Sequence, residues 1–161
     1  MTAWPWSVRT PLVTLMRSDA EALAEIHSTA FARVWTADEF AALLAERTTF
    51  AVGIRRDWFT HRRLVGFVLV RVVLDEAEIL TIAVRKDCRR RGYGRMLMDE
   101  ALRRLSRAGA AACFLEVDND NGPAVGLYRS LGFAVVGRRK DYYEVGSAGD
   151  GTALVMRVQL R

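Results

Sequence analysis

Three β-patterned runs, residues 48–54, 64–74 and 78–84, follow one another across short polar connections. That spacing constrains the fold more than any other feature, because a parallel return needs a connection of about a dozen residues or more. The three runs therefore form an antiparallel meander. After Val84 the period changes: residues 92–108 place Leu97, Ala101, Leu105 and Ala108 at helical spacing, Gly109 can end the helix, and residues 112–117 read as a strand again. A strand-helix-strand unit adds one crossover to the meander. Before it, residues 8–15 read as a strand, and Ser18 or Asp19 can cap a helix turning Leu23, Ile26 and Phe31 inward. Thr36 with Glu39 is a capping box for a helix with Phe40, Leu43 and Leu44 on its apolar face. After it, Asp120 or Asn121 can cap a helix with Pro123 in its first turn and Gly132 at its end, followed by strands at 133–145 and 153–160. The order β-α-α-β-β-β-α-β-α-β-β predicts an α/β fold of the α+β kind: a mixed, mostly antiparallel seven-stranded sheet flanked by helices.

With 161 residues, 51% of them hydrophobic, and no repeat or linker, residues 1–161 read as one domain, with 1–9 as an N-terminal extension. No apolar run approaches the ~18 residues of a membrane span, and residues 1–10 lack the order of a secretion signal. The expectation is a cytoplasmic protein without a membrane partner. Charge is more informative. Arg85, Lys86, Arg89, Arg90, Arg91 and Arg95 stand against Asp87 alone, a local excess equal to the net charge of +5 of the whole chain. Outside this window acids and bases balance, so the basic character reports one concentrated anion site and not a broad nucleic-acid surface. Cys88 and Cys113 have only His27 and His61 as possible co-ligands, and no metal site follows.

The run 78–84 leads into Arg89-x-x-Gly92-x-Gly94, which opens the long helix. Glycines there let the backbone approach a ligand closely. The free N–H groups and the dipole of the helix start attract an anion, and the neighbouring arginines neutralise it. A dinucleotide-binding βαβ unit competes for this pattern, since Glu116 ends the next strand near the spacing of a ribose-binding acid. Leu97 at the third glycine position, the basic stretch between Val84 and Gly92, and the four strands upstream argue against it.

These residues resemble the GNAT superfamily of acyl-CoA transferases, whose signature [QR]-x-x-G-x-[GA] is met by Arg89, Gly92 and Gly94. The stretch 74–84, then Leu115-Glu116-Val117, Asn121, Leu127-Tyr128-x-x-Leu131-Gly132-Phe133 and Arg139-x-x-Tyr142-Tyr143, is similar to the bacterial ribosomal-protein alanine N-acetyltransferases within it. Lys86, Thr81 and Cys88 depart from the usual pattern.

The resemblance implies a GNAT-like sheet and acetyl-CoA as co-substrate, lying along the strand end Ile82-Ala83-Val84. The main-chain N–H groups of Arg90, Arg91, Gly92, Tyr93, Gly94 and Arg95 would hold the pyrophosphate, and Asn121 would reach the pantetheine arm, a role compatible with simple helix capping. Attack on a thioester needs a neutral amine, yet an α-amine with a pKa of about 7.7–8.0 is largely protonated at neutral pH. By resemblance Glu116, among the apolar neighbours Phe114, Leu115 and Val117, accepts that proton directly or through water, and Tyr128 protonates the departing thiolate. Tyr142 or Tyr143 and Trp35 would wall the acceptor site, with half-buried packing as the alternative. The implied reaction is acetyl transfer to the N-terminal amine of a protein, a ribosomal-protein alanine foremost. A lysine side chain, a small amine, or non-catalytic acyl-CoA sensing are the competing readings.

Overall fold

The computed structural model describes residues 12–140 and 151–161. In chain order these residues form β1 (Leu12–Thr14), α1 (Ala20–Ala30), α2 (Ala37–Ala45), β2 (Thr49–Trp58), β3 (His61–Val73), β4 (Glu76–Val84), α3 (Tyr93–Arg107), β5 (Ala112–Asp118), α4 (Gly122–Ser130), β6 (Ala134–Arg139) and β7 (Ala153–Gln159). The seven strands make one sheet in the order β1-β2-β3-β4-β5-β7-β6. Every neighbouring pair is antiparallel except β4 and β5, which are joined through α3 as the crossover requires.

Strand alternation sends side chains to two faces, and each face has its own core. Leu97, Met98, Ala101 and Leu105 of α3 recur at three- and four-residue spacing, so one stripe of the helix packs on Val68, Val70, Ile79 and Leu115. On the other face Leu23 and Ile26 of α1 and Phe40 of α2 cover Ala51, Phe67, Leu69 and Ala83. The capping box of α2 is complete: Glu39 N donates to Thr36 Oγ1 at 3.2 Å and Thr36 N to Glu39 Oε2 at 2.7 Å.

Three details differ from the sequence reading. Asp19 gives α1 no side-chain cap bond; it accepts from Met16 N at 2.8 Å and pairs with Arg55 at 2.5 Å, closing a 3-10 turn at Arg17–Asp19. Phe31 does not face the core. The helix stops at Ala30, and Phe31 is left 42% exposed, stacked 4.4 Å over His27. The connection between the runs 48–54 and 64–74 is mostly strand, because β2 and β3 pair as far as Trp58 and His61 around a turn at Phe59 and Thr60. The outer parts of the runs expected at 8–15 and 133–145, and the 1–9 extension, lie outside the described residues. Among the described residues no helix is long and apolar enough to cross a membrane.

Candidate active site

β4 and β5 part company in the middle of the sheet. They pair from Glu76 opposite Ala112 to Ile79 opposite Leu115 and no further, although β4 keeps its pairing with β3 to Val84 and β5 its pairing with β7 to Asp118. The cause is local: Leu69 faces Thr81 while Val70 faces Ile79, so Leu80 is an extra residue in β4. A bulge of this kind bends its strand and increases the twist. The result is a wedge open at the carboxyl ends of two parallel strands, where open α/β sheets bind ligands. Ile82, Ala83 and Val84 lie on the β4 side of this wedge, beyond the last pair with β5. Thr81 Oγ1, at the start of the split, is buried and without a partner among the described residues.

The loop after β4 leads directly into the start of α3. Arg90 and Gly92 take left-handed φ values of 60° and 80°, and Gly92 is the N-cap of α3. No backbone N–H from residue 89 to residue 95 reaches a protein acceptor among the described residues; Met96 N, bonded to Gly92 O at 3.1 Å, is the first in the helix to do so. The first N–H groups of a helix have no partner within it, and such a run fits a pyrophosphate. The glycines serve different ends. A Cβ at Gly92 would meet nothing within 4 Å, so its requirement is the left-handed backbone, whereas a Cβ at Gly94 would lie 3.5 Å from Leu127 of α4. The arginines also divide. Arg89 Nε donates to Val84 O at 3.3 Å, and Arg95 reaches Ser130 Oγ at 3.0 Å, which ties the loop to β4 and α3 to α4. Tyr93 is buried, and its hydroxyl accepts from Arg56 at 2.5 Å.

Glu116 and Tyr128 lie on opposite faces of the sheet. Leu115 and Val117 belong to the α3-side core together with Tyr128, so alternation along β5 turns Glu116 the other way. Leu115 and Val117 therefore turn away from it, and of its apolar neighbours only Phe114 shares its face. Glu116 lines a groove of about 610 Å³ with Glu76, Glu78, Phe114, Arg71 and Arg139, and Arg139 Nη1 stands 3.1 Å from Glu116 Oε1. The sequence reading gave Arg139 no role. Its place in the Arg-x-x-Tyr-Tyr motif was the available signal. Tyr128 is 6% exposed and meets Phe133 edge-on at 5.9 Å, and burial pushes its phenol up to about 12. It is a protonated donor throughout the neutral range.

Asn121 caps α4, its Oδ1 accepting from Ala124 N at 3.3 Å, which leaves its amide nitrogen without a protein acceptor among the described residues. Trp35 is not brought to the groove. It stacks 5.0 Å from His27 and lies 5.5 Å from Phe40, in the half-buried packing that was its alternative. Tyr142 and Tyr143 lie outside the described residues. His27, assigned no chemistry from sequence, is buried in this aromatic cluster, and desolvation lowers its pKa. Burial raises the thiol pKa of Cys88, and that of Cys113 to about 12, so neither is an activated nucleophile. Among the described residues no group of His, Cys, Asp and Glu could hold a metal.

Acetyl-CoA supplies an activated acyl group when bound, and the free loop donors, the unpaired β4 edge and the orphaned Thr81 hydroxyl fit such an elongated, pyrophosphate-bearing ligand. Comparison with known proteins agrees. The Acetyltransferase (GNAT) family pattern matches residues 20–133. The [ribosomal protein bS18]-alanine N-acetyltransferase of Salmonella typhimurium is 33% identical over 146 residues, covering 91% of this chain and 95% of the relative. The crystal structure of the ribosomal-protein-S18-alanine N-acetyltransferase from Escherichia coli superposes with a TM-score of 0.84 at 30% identity, covering 93% of each chain. The N-acetyltransferase PaiA of Thermoplasma acidophilum, in complex with coenzyme A, shares the fold with a TM-score of 0.71 at 16% identity, covering 92% of this chain and 99% of that one. The split sheet, the free donors at the start of α3 and these matches together make the chain a member of the GNAT acetyltransferase family, an acetyl-CoA-dependent N-acetyltransferase.

Proposed function

We propose that the protein acetylates the N-terminal α-amine of a protein, with an N-terminal alanine of a ribosomal protein as its first acceptor. One observation carries the reading: Glu116 lines an open groove on one face of the sheet while Tyr128 belongs to the core on the other. A chain terminus entering that groove brings its amine to the carboxylate, with the thioester in the wedge between the two side chains. Glu116 takes the ammonium proton, directly or through water, and Tyr128 donates to the departing sulfur. Residues 89–95 hold the pyrophosphate, the edge at Ile82, Ala83 and Val84 bonds the pantetheine arm, and the free amide nitrogen of Asn121 reaches the same arm.

The names of the relatives support the alanine acceptor, and an acceptor of that kind implies a cytoplasmic enzyme. Amine chemistry supports a terminus over lysine, whose pKa of about 10.4 leaves it far more protonated at neutral pH. The test is a competition within one molecule. A peptide with a free N-terminal alanine and an internal lysine is incubated with acetyl-CoA, and the acetyl group is located by mass spectrometry. Modification at the terminus is expected, with bulky first residues acetylated more slowly than Ala or Ser. Acetylation at lysine would replace this reading with a side-chain acetyltransferase.

A further inference from the structure

Beside the loop of residues 89–95 lies a second cavity, of about 400 Å³, lined by Arg56, Asp57, Arg63, Asp87, Cys88 and Arg91. Its construction is electrostatically unusual. Arg56 and Arg63 stand directly opposite each other in the β2–β3 ladder, where like charges destabilise the pair. The carboxylates nearby are already engaged: Asp87 pairs with Arg63 at 3.0 Å and Asp57 with Arg62 at 3.4 Å. Arg56 and Arg91 have no ion pair among the described residues. Arg56 is nonetheless held in place, donating to the Tyr93 hydroxyl at 2.5 Å with its guanidinium 5.8 Å from the ring centre. A neutral phenol orients this cation without compensating it. Tyr93 is the first residue of α3, and Arg91 belongs to the loop itself, so the cavity adjoins the free N–H groups.

We infer that this cavity is a phosphate-monoester site, in which the guanidiniums of Arg56 and Arg91 bind one dianion and relieve the repulsion across the β2–β3 ladder. Two unpaired cations match the charge of such a group near neutral pH. Arginine suits it, presenting several N–H donors in a planar fork. Coenzyme A carries this chemistry in its 3′-phosphate, one ribose away from its pyrophosphate, and free inorganic phosphate carries it as well. The cofactor assignment rests on the reading that residues 89–95 hold the pyrophosphate. It gives the hairpin residues 55–63 a ligand-binding role that the sequence reading did not assign.

The experiment is calorimetric titration of the full chain with coenzyme A and with 3′-dephospho-coenzyme A, for wild type, Arg56→Gln and Arg91→Gln. Thermal midpoints are measured in parallel with and without inorganic phosphate. A charge-assisted contact predicts that wild type prefers coenzyme A by about tenfold or more. Each substitution should collapse that preference towards one; Arg56→Gln should leave affinity for the dephospho form nearly unchanged, whereas Arg91→Gln, in the loop itself, should weaken both forms and is read by the ratio of the two affinities. Arg91→Gln alters an exposed side chain and keeps the test decisive if Arg56→Gln, which strips Tyr93 of its partner, fails to fold. If wild type shows no preference but phosphate raises its midpoint and not those of the variants, the site stands with free phosphate as its ligand. A preference that persists in the folded variants would overturn the proposal, as would the absence of both a preference and a variant-sensitive phosphate effect. Gly92→Val separates this from the loop reading: loss of both cofactor forms supports the loop whatever happens at the cavity, and wild-type affinity for both refutes the loop alone.

Discussion

Replacing Tyr128 with Phe isolates the one hydroxyl assigned to the leaving sulfur. The ring is buried and packed against Phe133, and phenylalanine keeps that shape, so the fold should survive. The phenol pKa of about 12 sets the size of the catalytic effect. An ordinary thiol titrates near 8.5, so complete transfer of the phenol proton to a thiolate of that kind is uphill by about 5 kcal/mol. Tyr128 therefore acts chiefly by donating a hydrogen bond to the sulfur as charge develops, a contact worth about 1.5–3 kcal/mol when one partner is charged. Tyr128→Phe should lower kcat by about 10- to 100-fold, measured as thiol release from acetyl-CoA with a saturating Ala-initiated peptide. The same pKa makes a second demand. Burial raises the folded-state value from 10.0 to about 12, so the phenol costs nothing below pH 10. As pH rises from 10 through 12 the wild type should lose up to about 2.7 kcal/mol of stability that Tyr128→Phe does not lose. A variant with kcat within twofold of wild type between pH 7 and 9 would refute the donor role, and parallel alkaline denaturation of the two proteins would refute the burial argument.

Glu116→Gln should lower kcat by about 10²–10⁴-fold with coenzyme A affinity retained, since the carboxylate lines the groove proposed to admit the amine; wild-type turnover across the pH range would remove it from the mechanism. Losing its ion pair with the largely exposed Arg139 should cost less than about 1 kcal/mol, so urea midpoints of the two proteins should nearly coincide. Gly92→Val should destabilise the fold by about 1–2 kcal/mol through its left-handed backbone and also abolish coenzyme A binding; calorimetry showing intact affinity would contradict the loop assignment. His27 should titrate below its ordinary value of 6.5 by NMR. The neutral ring is favoured in the folded state, so its stability contribution is present above pH 6.5 and is lost as pH falls through the lowered value; titration at or above 6.5 would contradict its burial.

Local rules made most of the fold legible in the sequence. Capping at Thr36 and Asn121, the stripe on α3, the glycines at helix ends and the short connections of the meander depend on neighbours within a few residues, and all appear where those neighbours put them. The loop that opens α3 was legible for the same reason, since a strand end, two glycines and a helix start are adjacent in the chain. What the sequence could not decide were relations between strands far apart in number. The split of β4 from β5 comes from one unpaired residue, Leu80, which is visible only against β3. The apolar residues beside Glu116 in sequence turn to the other face, and its actual partner is Arg139, brought there by β6. The contacts of Trp35 with His27 and Phe40, from α1 and α2, are likewise set by tertiary packing. The two arginines facing each other across β2 and β3 are seven positions apart and unremarkable in the sequence. Only the strand register sets their charges against each other. Short-range capping and turn energies are written in consecutive residues, whereas electrostatic and packing partners are chosen by a register that the whole sheet must fix.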